Sequence, residues 1–236
     1  MSLRISAILV ILALVAFPFV AVVNADGDGS GLRRPLDLPS GGIADAEEEE
    51  DRPETILFYG DEFEGDCFVW AIPAYGFCGE TAVFTAIREE VGSTLNQLSP
   101  MVDFSLVGYN STTYVWSPTC VRANSGNKTA AQAWLATLVP IEAHCLMDAA
   151  VTALGILQAA PASYKQMIVC GAREPYCGGN GGGDYADGVL AVVTAANIEN
   201  LPIHTVYFTS SQYSGEGQFY MDMAAMNNGT FRQVNY

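Results

Sequence analysis

Thiols and imidazoles are the side chains of this sequence that are best suited to chemistry. The chain has six cysteines and two histidines. His144 directly precedes Cys145, so a thiol, which can act as a nucleophile, lies next to an imidazole, which can act as its base. Adjacent residues point in different directions, however, and catalytic partners usually meet across a fold. His204 lies within the apolar run PIHTVYF, where an imidazole is expected to be structural.

Motifs of known catalytic machinery are absent from the sequence. It contains no GxSxG elbow, no HExxH pair and no phosphate loop ending in Lys-Ser/Thr. The glycine-rich run from Gly178 to Asp184 lacks that lysine and occurs once, which is typical of a loop. We therefore expect a protein that is not an enzyme and has no cofactor.

The charge balance excludes whole classes of partner. Ten lysines and arginines stand against 26 aspartates and glutamates, which gives a formal net charge of −16. Binding to nucleic acid requires a basic patch that neutralises phosphates, and binding to an anionic membrane surface requires the same sign of charge. Neither is expected here, and the partner is expected to be another protein.

The N-terminal segment has the pattern of an export signal. Arg4 precedes an apolar run over residues 5–23, and small residues at Val23 and Ala25 predict cleavage after Ala25. Because the run is longer than the apolar core of most cleaved signals, a retained membrane anchor through residues 5–23 is the alternative. Either outcome predicts an extracytoplasmic protein, secreted or anchored to the membrane.

Residues 26–54 have the composition of a linker between this segment and a folded domain. Glycine, proline and a block of glutamates dominate, and there is little apolar surface to bury. Such a segment does not recover its ordering entropy, so we expect an acidic, disordered spacer. The domain is predicted to span residues 55–236, which is enough for a sizeable core. Behind an export signal, an even number of cysteines favours disulfides.

Apolar strands and amphipathic helices alternate along the predicted domain. CFVWAI and KQMIVCGA are apolar enough to be strands buried on both faces, and TILFYG is expected as a short, edge-like strand. Helical spacing recurs in one segment at Val83, Ile87, Val91 and Leu95. This alternation predicts an α/β fold with a doubly wound, mainly parallel sheet and helices on both faces.

Several of these segments together resemble a bacterial von Willebrand factor A-type (vWA) domain. The resemblance runs in order through FYGDEFEGDCFVWAI, VDFSLVGYN, NKTAAQAWLATLVP, DAAVTALGIL, NIENLPIHTVYF and MAAMNNGTFRQV, and it covers most of Thr55 to Tyr236. It implies one antiparallel edge strand in the sheet. It also implies a divalent-cation site at the carboxyl ends of the strands, built from Asp-x-Ser-x-Ser, a threonine and an aspartate.

The residues at those family positions depart from the pattern. The resemblance aligns Ala71, Pro73 and Tyr75 with the aspartate and serines, His144 with the threonine and Ala172 with the second aspartate. Hard cations such as Mg²⁺ need oxygen ligands, which alkyl groups and a pyrrolidine ring do not supply. We therefore expect a degenerate site without a metal ion, in an exported protein-binding or scaffold module.

The resemblance also places other residues around the same rim. The candidate binding residues there are Tyr75, Glu142, His144 and Glu174. Zinc held by His144 and nearby cysteines is the alternative, since sulfur and imidazole suit that ion. Because no close CxxC pair is present and exported thiols normally oxidise, disulfides are favoured over zinc. The pairs expected from the placement of the cysteines are Cys78–Cys145, Cys170–Cys177 and Cys67–Cys120.

Overall fold

Strands and helices alternate along the predicted domain in the structure, a computed structural model that describes residues 53–74, 81–141, 143–178, 182–209 and 217–235. The strands are β1 (Glu54–Phe58), β2 (Asp61–Gly65), β3 (Cys67–Pro73), β4 (Asp103–Tyr109), β5 (Thr113–Val115), β6 (Val121–Arg122), β7 (Lys165–Gly171), β8 (Ile203–Thr209) and β9 (Phe231–Asn235). The helices are α1 (Thr81–Gln97), α2 (Ser125–Leu135), α3 (Leu146–Ala159), α4 (Gly182–Ala196) and α5 (Gln218–Met226).

Seven strands in the described part of the chain form the central sheet. Its order is β5-β4-β3-β7-β8-β9, and β6 also pairs with β4. Adjacent strands in the series β4-β3-β7-β8-β9 are parallel, whereas β5 and β6 both run antiparallel to β4. The predicted α/β class, the mainly parallel sheet and its antiparallel edge strand are confirmed.

Both faces of the sheet are covered, which is why its central strands are apolar throughout. Every residue of β3 is buried. Helix α3 packs on β3, β4 and β7, and α5 packs on β8 and β9. On the opposite face α1 contacts β3, and Leu138 and Trp134 approach Gly108 of β4. The doubly wound arrangement predicted from the alternation of strands and helices is present.

A β-hairpin, made of β1 and β2, covers the remaining part of that second face. Phe63 lies 4.7 Å from the His204 ring of β8, and Tyr59 lies 4.9 Å from Phe208. The prediction of TILFYG as an edge-like strand is wrong in this respect, because β1 pairs only with β2. Positive φ angles at Tyr59 and Gly60 make the tight turn that folds the two strands together.

The predicted export signal lies outside the described residues, which begin at Pro53, and so does the predicted linker except for its last two residues. Strand β1 begins at Glu54, next to the predicted domain boundary. Among the helices that the structure describes, none combines the length and apolar character needed to cross a bilayer.

Candidate functional site

The carboxyl ends of β3, β4 and β7 meet at one edge of the sheet, called here the upper edge. Pro73 is in register with Tyr109 across the parallel β3–β4 pair, and β7 ends at Gly171 on the other side of β3. Open α/β sheets bind their ligands beyond such strand ends, because the connecting loops diverge there. The upper edge is therefore the candidate functional site.

The family's cation positions that the structure describes lie at this edge. Ala71 and Pro73 are buried in the last part of β3, and Ala172 directly follows β7 with 6% of its surface exposed. None of these three side chains carries an oxygen. Tyr75 and Glu142 lie outside the described residues, so their roles stay predictions.

A tyrosine side chain crosses the end of β3. The hydroxyl of Tyr109, at the end of β4, donates a hydrogen bond of 2.6 Å to the main-chain carbonyl of Cys170 in β7. Because β3 lies between β4 and β7, the Tyr109 side chain passes over β3, and it is completely buried there. The buried Tyr109 side chain thus joins the two neighbours of the central strand.

A second tyrosine closes the same edge from α5. The Tyr220 hydroxyl donates a 2.8 Å hydrogen bond to the carbonyl of Arg173, just beyond β7. On its way it passes so close to Gly171 that a Cβ atom at that glycine would lie 1.8 Å from the hydroxyl oxygen. Glycine at the end of β7 is what allows this approach. Sequence reasoning missed both tyrosines, because neither contact is local.

The segment that precedes α3 is fixed over the strand ends by main-chain hydrogen bonds. The amide of Ile141 donates to the carbonyl of Ala74, and the amide of Cys145 donates to the carbonyl of Asn110. His144 forms an antiparallel bridge with Tyr176 in the loop after β7. His144 itself is only 8% exposed, so most of its surface faces protein rather than solvent.

A disulfide joins the same two segments and corrects part of the predicted connectivity. Cys145 is bonded to Cys177, so the predicted pairs Cys78–Cys145 and Cys170–Cys177 are wrong. The His144–Tyr176 bridge places Cys145 and Cys177, the next residues on each side, within bonding distance, with 4.7 Å between their Cα atoms. Cys170 is instead a buried free thiol inside β7.

The remaining cysteines of the described segments are thiols. Cys67 and Cys120 are both free thiols in the structure, contrary to the predicted pair. Cys78 lies outside the described residues. Burial raises the pKa of the Cys170 thiol, which keeps it protonated and poorly suited to bind a metal.

Among the described residues, the zinc alternative loses the three sulfur ligands Cys145, Cys170 and Cys177. Cys145 and Cys177 are consumed by their disulfide, and Cys170 is fully enclosed. Across the part of the chain that the structure describes, no three His, Cys, Asp or Glu side chains are grouped so that they could hold a metal ion.

Exposed apolar side chains border the upper edge, a feature that the sequence did not predict. Val139 and Ile141 are 67% and 42% exposed, and Tyr176 is 39% exposed across the bridge from His144. Glu174, one of the predicted rim residues, lies two residues before Tyr176 and is half-buried. We call Val139, Ile141 and Tyr176 the apolar rim.

His204 is a structural residue, as the sequence predicts, and lies away from the upper edge. The Thr230 amide donates to its Nδ1 atom at 3.1 Å, so Nε2 carries the proton and donates to Oε1 of Gln166 at 2.8 Å. Gln166 then donates to the carbonyl of Glu64 in the hairpin. Burial lowers the pKa of His204 to about 4. The neutral imidazole thus connects β7, β8 and β2.

Comparisons with known proteins identify the fold through structure alone. No protein-family model matches the sequence, and no curated protein matches it. Solved structures that match include a von Willebrand factor type A protein from Catenulispora acidiphila (17% identity, TM-score 0.60, covering 72% of this chain and 38% of that one). The PilB minor pilin from Streptococcus sanguinis also matches (13% identity, TM-score 0.55, covering 73% and 57%).

A third match is the vWF domain of a type V pili tip protein from Porphyromonas gingivalis (10% identity, TM-score 0.56, covering 77% of this chain and 90% of that one). This chain thus spans less than two thirds of the length of the first two proteins, 38% and 57%, and 90% of the vWF domain from Porphyromonas gingivalis. The order of strands, the helices on both faces and these matches agree. The chain has the fold of a von Willebrand factor A-type domain.

Proposed function

We propose that this protein is a non-enzymatic, exported protein-binding or scaffold module that uses the upper edge of its sheet without a divalent cation. One observation carries the proposal: the Tyr109 hydroxyl bonds from β4 to the Cys170 carbonyl of β7, across β3, the strand that carries the residues aligned with the family's first cation positions. A partner would then meet a surface made only of protein atoms.

The described side chains that align with the family's aspartates and first serine do not fit a hard cation. Mg²⁺ requires several oxygen ligands at about 2.0–2.1 Å in octahedral geometry. Ala71, Pro73 and Ala172 contribute methyl and ring carbons instead. The hydroxyls of Tyr109 and Tyr220 already donate to main-chain carbonyls, so both are committed to holding the strand ends together.

The class of the partner is inferred from the solved structures and from the rim. Two of those structures are described as a minor pilin and as a domain of a pilus tip protein, and others as pilus adhesins. Adhesins and pilins act by contact with other molecules outside the cell. The predicted export signal agrees with that location, whether the chain is cleaved after Ala25 or tethered through residues 5–23.

The apolar rim supplies the contact surface in this proposal. Ile141 and Tyr176 expose apolar and aromatic area, which is enriched at the centres of protein interfaces. The disulfide between Cys145 and Cys177 fixes the two segments that carry them. The partner is therefore expected to be a protein that packs on Ile141 and Tyr176, with Glu174 at the margin.

A titration tests the absence of a cation. Thermal unfolding of the full chain, previously treated with a chelator, is followed at rising concentrations of Mg²⁺, Mn²⁺ and Ca²⁺. A ligand that binds only the folded state raises the Tm as its concentration exceeds the Kd. No saturable rise is expected with any of the three ions. A rise that saturates at low-micromolar Mg²⁺ or Mn²⁺ would overturn the cation-free proposal.

Site-specific cross-linking tests the surface. A photoreactive amino acid replaces Ile141 in one variant and Ile198, which is 78% exposed in the connection before β8, in a matched control. In cells of the source organism, protein adducts are expected from position 141 with or without chelator, and in much lower yield from position 198. Equal yields from both positions, or loss of the adducts with chelator, would contradict the proposal.

A further inference from the structure

A cavity of about 560 Å³, called here the lower cavity, opens where β3 and β4 begin, at the opposite end of these strands from the upper edge. Its charged lining residues are Glu54, Asp66, Asp103 and Arg122, and Tyr164 also lines it. A concave site of this volume, with a few polar groups beside apolar ones, is typical of a pocket for a small ligand. None of its lining residues belongs to the upper edge, so the lower cavity is a second candidate site.

Main-chain hydrogen bonds fix the segments that form the lower cavity. The Asp103 amide donates to the carbonyl of Asp66 at 2.8 Å, and the Asp66 amide donates to the carbonyl of Tyr164 at 2.7 Å. Asp103 is also in register with Arg122 on the antiparallel strand β6. Neighbouring strands of a sheet lie about 4.8 Å apart. The loop before β7, the starts of β3 and β4, and β6 therefore line up side by side along one wall of the cavity.

Two carboxylates of the lining are held in place by amide groups. Oε1 of Glu54 accepts a hydrogen bond from the Ser99 amide at 2.8 Å, and Oδ2 of Asp66 accepts one from the Tyr164 amide at 3.2 Å. Each of these bonds uses one oxygen of its carboxylate. Within the described part of the chain, no lysine or arginine forms an ion pair with Glu54 or Asp66. Both carboxylates are thus positioned without being neutralised by a described cation.

The other two charges of the lining compensate each other. Nε of Arg122 lies 3.4 Å from Oδ1 of Asp103, and the Arg122 guanidinium also donates to the carbonyl of Met101. Arg122 is therefore committed to the wall that it belongs to. The negative charge that remains in the lining is that of Glu54 and Asp66.

Apolar groups beside the carboxylates give the lower cavity a second kind of surface. Tyr164 and Met101 line it and are both exposed, and Pro161 and Ala162 contribute aliphatic carbons. The face of a tyrosine ring also attracts cations. A ligand that joins a positive group to an apolar chain would use both kinds of surface.

A metal ion fits this lining less well than an organic cation does. In the described segments, no three His, Cys, Asp or Glu side chains are grouped so that they could hold a metal ion. Hard metal ions require several oxygen ligands around one point. An ammonium group requires only an acceptor for each of its three N–H donors, and its hydrogen bonds to carboxylates are stronger than those between neutral groups.

We propose that the lower cavity binds a primary ammonium group carried on an aliphatic chain. The ammonium donates to the carboxylate oxygens of Glu54 and Asp66 that the Ser99 and Tyr164 amides leave open. The aliphatic chain packs on Tyr164 and on the carbons beside it. Two sources present this chemistry, a free amine and the side chain of a lysine in another protein, and the choice of probes separates them.

Four probes of similar size test the chemistry in the full chain. Pentylamine carries the ammonium, pentanol and pentanoate carry a neutral and an anionic group on the same chain, and Nα-acetyl-lysine methylamide presents the ammonium as a lysine residue does. Binding is followed by NMR of the backbone amides. Pentylamine should shift the Ser99 and Tyr164 signals saturably, with a Kd on the order of 1 mM, and pentanol and pentanoate should bind at least about tenfold more weakly. A lysine probe that binds as tightly as pentylamine supports a protein source, and one that does not bind supports a free amine.

Matched variants separate the lower cavity from the general attraction of an acidic chain for cations. Asp66→Asn and Glu54→Gln each remove one of the two charges, and each should raise the Kd for pentylamine about tenfold. Glu62→Gln removes an exposed charge from β2, outside the cavity lining, and should leave the Kd within about twofold of the parent value. Thermal unfolding without a probe shows whether each variant is folded. If one of the two cavity variants does not fold, the other variant and the four probes still decide.

Three outcomes would overturn the proposal. Pentanol or pentanoate binding as tightly as pentylamine would exclude an ammonium site. Equal Kd values for the parent, Asp66→Asn and Glu54→Gln would exclude these carboxylates as the acceptors. Shifts that grow without saturation over the whole surface would mean only a general attraction to a chain of net charge −16. None of these readouts involves the upper edge, so a failure here leaves the proposed protein-binding role to its own tests.

Discussion

Replacing His204 by glutamine tests whether a buried, neutral imidazole makes the fold sensitive to acid. In the folded chain Nδ1 of His204 accepts from the Thr230 amide, and Nε2 donates to Gln166. Protonation would put a second hydrogen on Nδ1, facing the Thr230 N–H, and would place a charge beside the Phe63 ring. Burial accordingly lowers the pKa of His204 from 6.5 to about 4.

The size and sign of the effect follow from proton linkage. As pH falls through 6.5, the unfolded chain binds a proton at His204 that the folded chain refuses until pH is near 4. The stability is therefore fully present above pH 6.5 and is lost progressively between pH 6.5 and 4. For this pKa difference, the loss is about 2 kcal/mol at pH 5.

Urea unfolding of the parent chain and of His204→Gln at pH 7 and pH 5 measures this term. Carboxylates also titrate in this range, but both proteins share them, so they cancel in the difference. The parent should lose about 2 kcal/mol more than the variant between the two pH values. If the two proteins lose equal stability, the pKa of His204 is not lowered in the folded chain, and the reasoning is refuted. The variant's lower stability at pH 7, from lost packing on Phe63, does not affect that comparison.

Three further predictions concern the upper edge and use unfolding free energies as the measurement. Gly171→Ala should destabilise the fold by about 1–3 kcal/mol because its Cβ would overlap the Tyr220 hydroxyl, and an unchanged stability would refute that contact. Tyr109→Phe should lower the free energy of unfolding by about 1–2 kcal/mol, because the carbonyl of Cys170 in β7 loses the hydrogen bond from the tyrosine hydroxyl. We expect no Mg²⁺ binding in this variant, and its stabilisation by Mg²⁺ would contradict the cation-free proposal. Replacing Cys145 and Cys177 together by serine should cost about 3–4 kcal/mol, whereas a loss below 1 kcal/mol would mean that the bond constrains little.

The fold could be predicted because its signals are local and repeated. Runs such as Cys67–Ile72 are buried on both faces, and Val83, Ile87, Val91 and Leu95 are all buried on one side of α1. Each such run fixes an element type by itself, and their order fixes a doubly wound sheet. The structural role of His204 followed in the same way from its position inside an apolar strand.

The β1–β2 hairpin escaped prediction because its signal is ambiguous. The buried residues Ile56, Phe58 and Phe63 alternate with exposed ones, which is equally typical of an edge strand and of a hairpin lying on a sheet. What separates the two is long-range: Glu90 accepts from the Tyr59 amide, and Gln166 donates to the Glu64 carbonyl. No local pattern in the sequence encodes those partners.

The sequence indicated where the candidate site lies, but it did not indicate the disulfide and the contacts that build it. The resemblance located Ala71, Pro73, His144 and Ala172 near the strand ends, and the described residues do lie there. The disulfide partner of Cys145 depends on how the loop after β7 returns to the bridge at Tyr176. A different course of that loop would bring a different pair of cysteines together. The sequence does not specify which course the loop takes, so it does not specify the disulfide.

Bonds within the chain hold the upper edge together. Tyr109 ties β4 to β7, Tyr220 ties α5 to Arg173 just beyond β7, and the Cys145–Cys177 disulfide ties the start of α3 to the loop beyond β7. An ion assembles such loops only when it is bound, so affinity for a partner then follows the ion's concentration. Here the shape of the edge is set when the chain folds. Binding to the proposed protein partner should therefore be indifferent to chelators and sensitive to reduction of the disulfide, which is the opposite of what a cation-dependent edge would show.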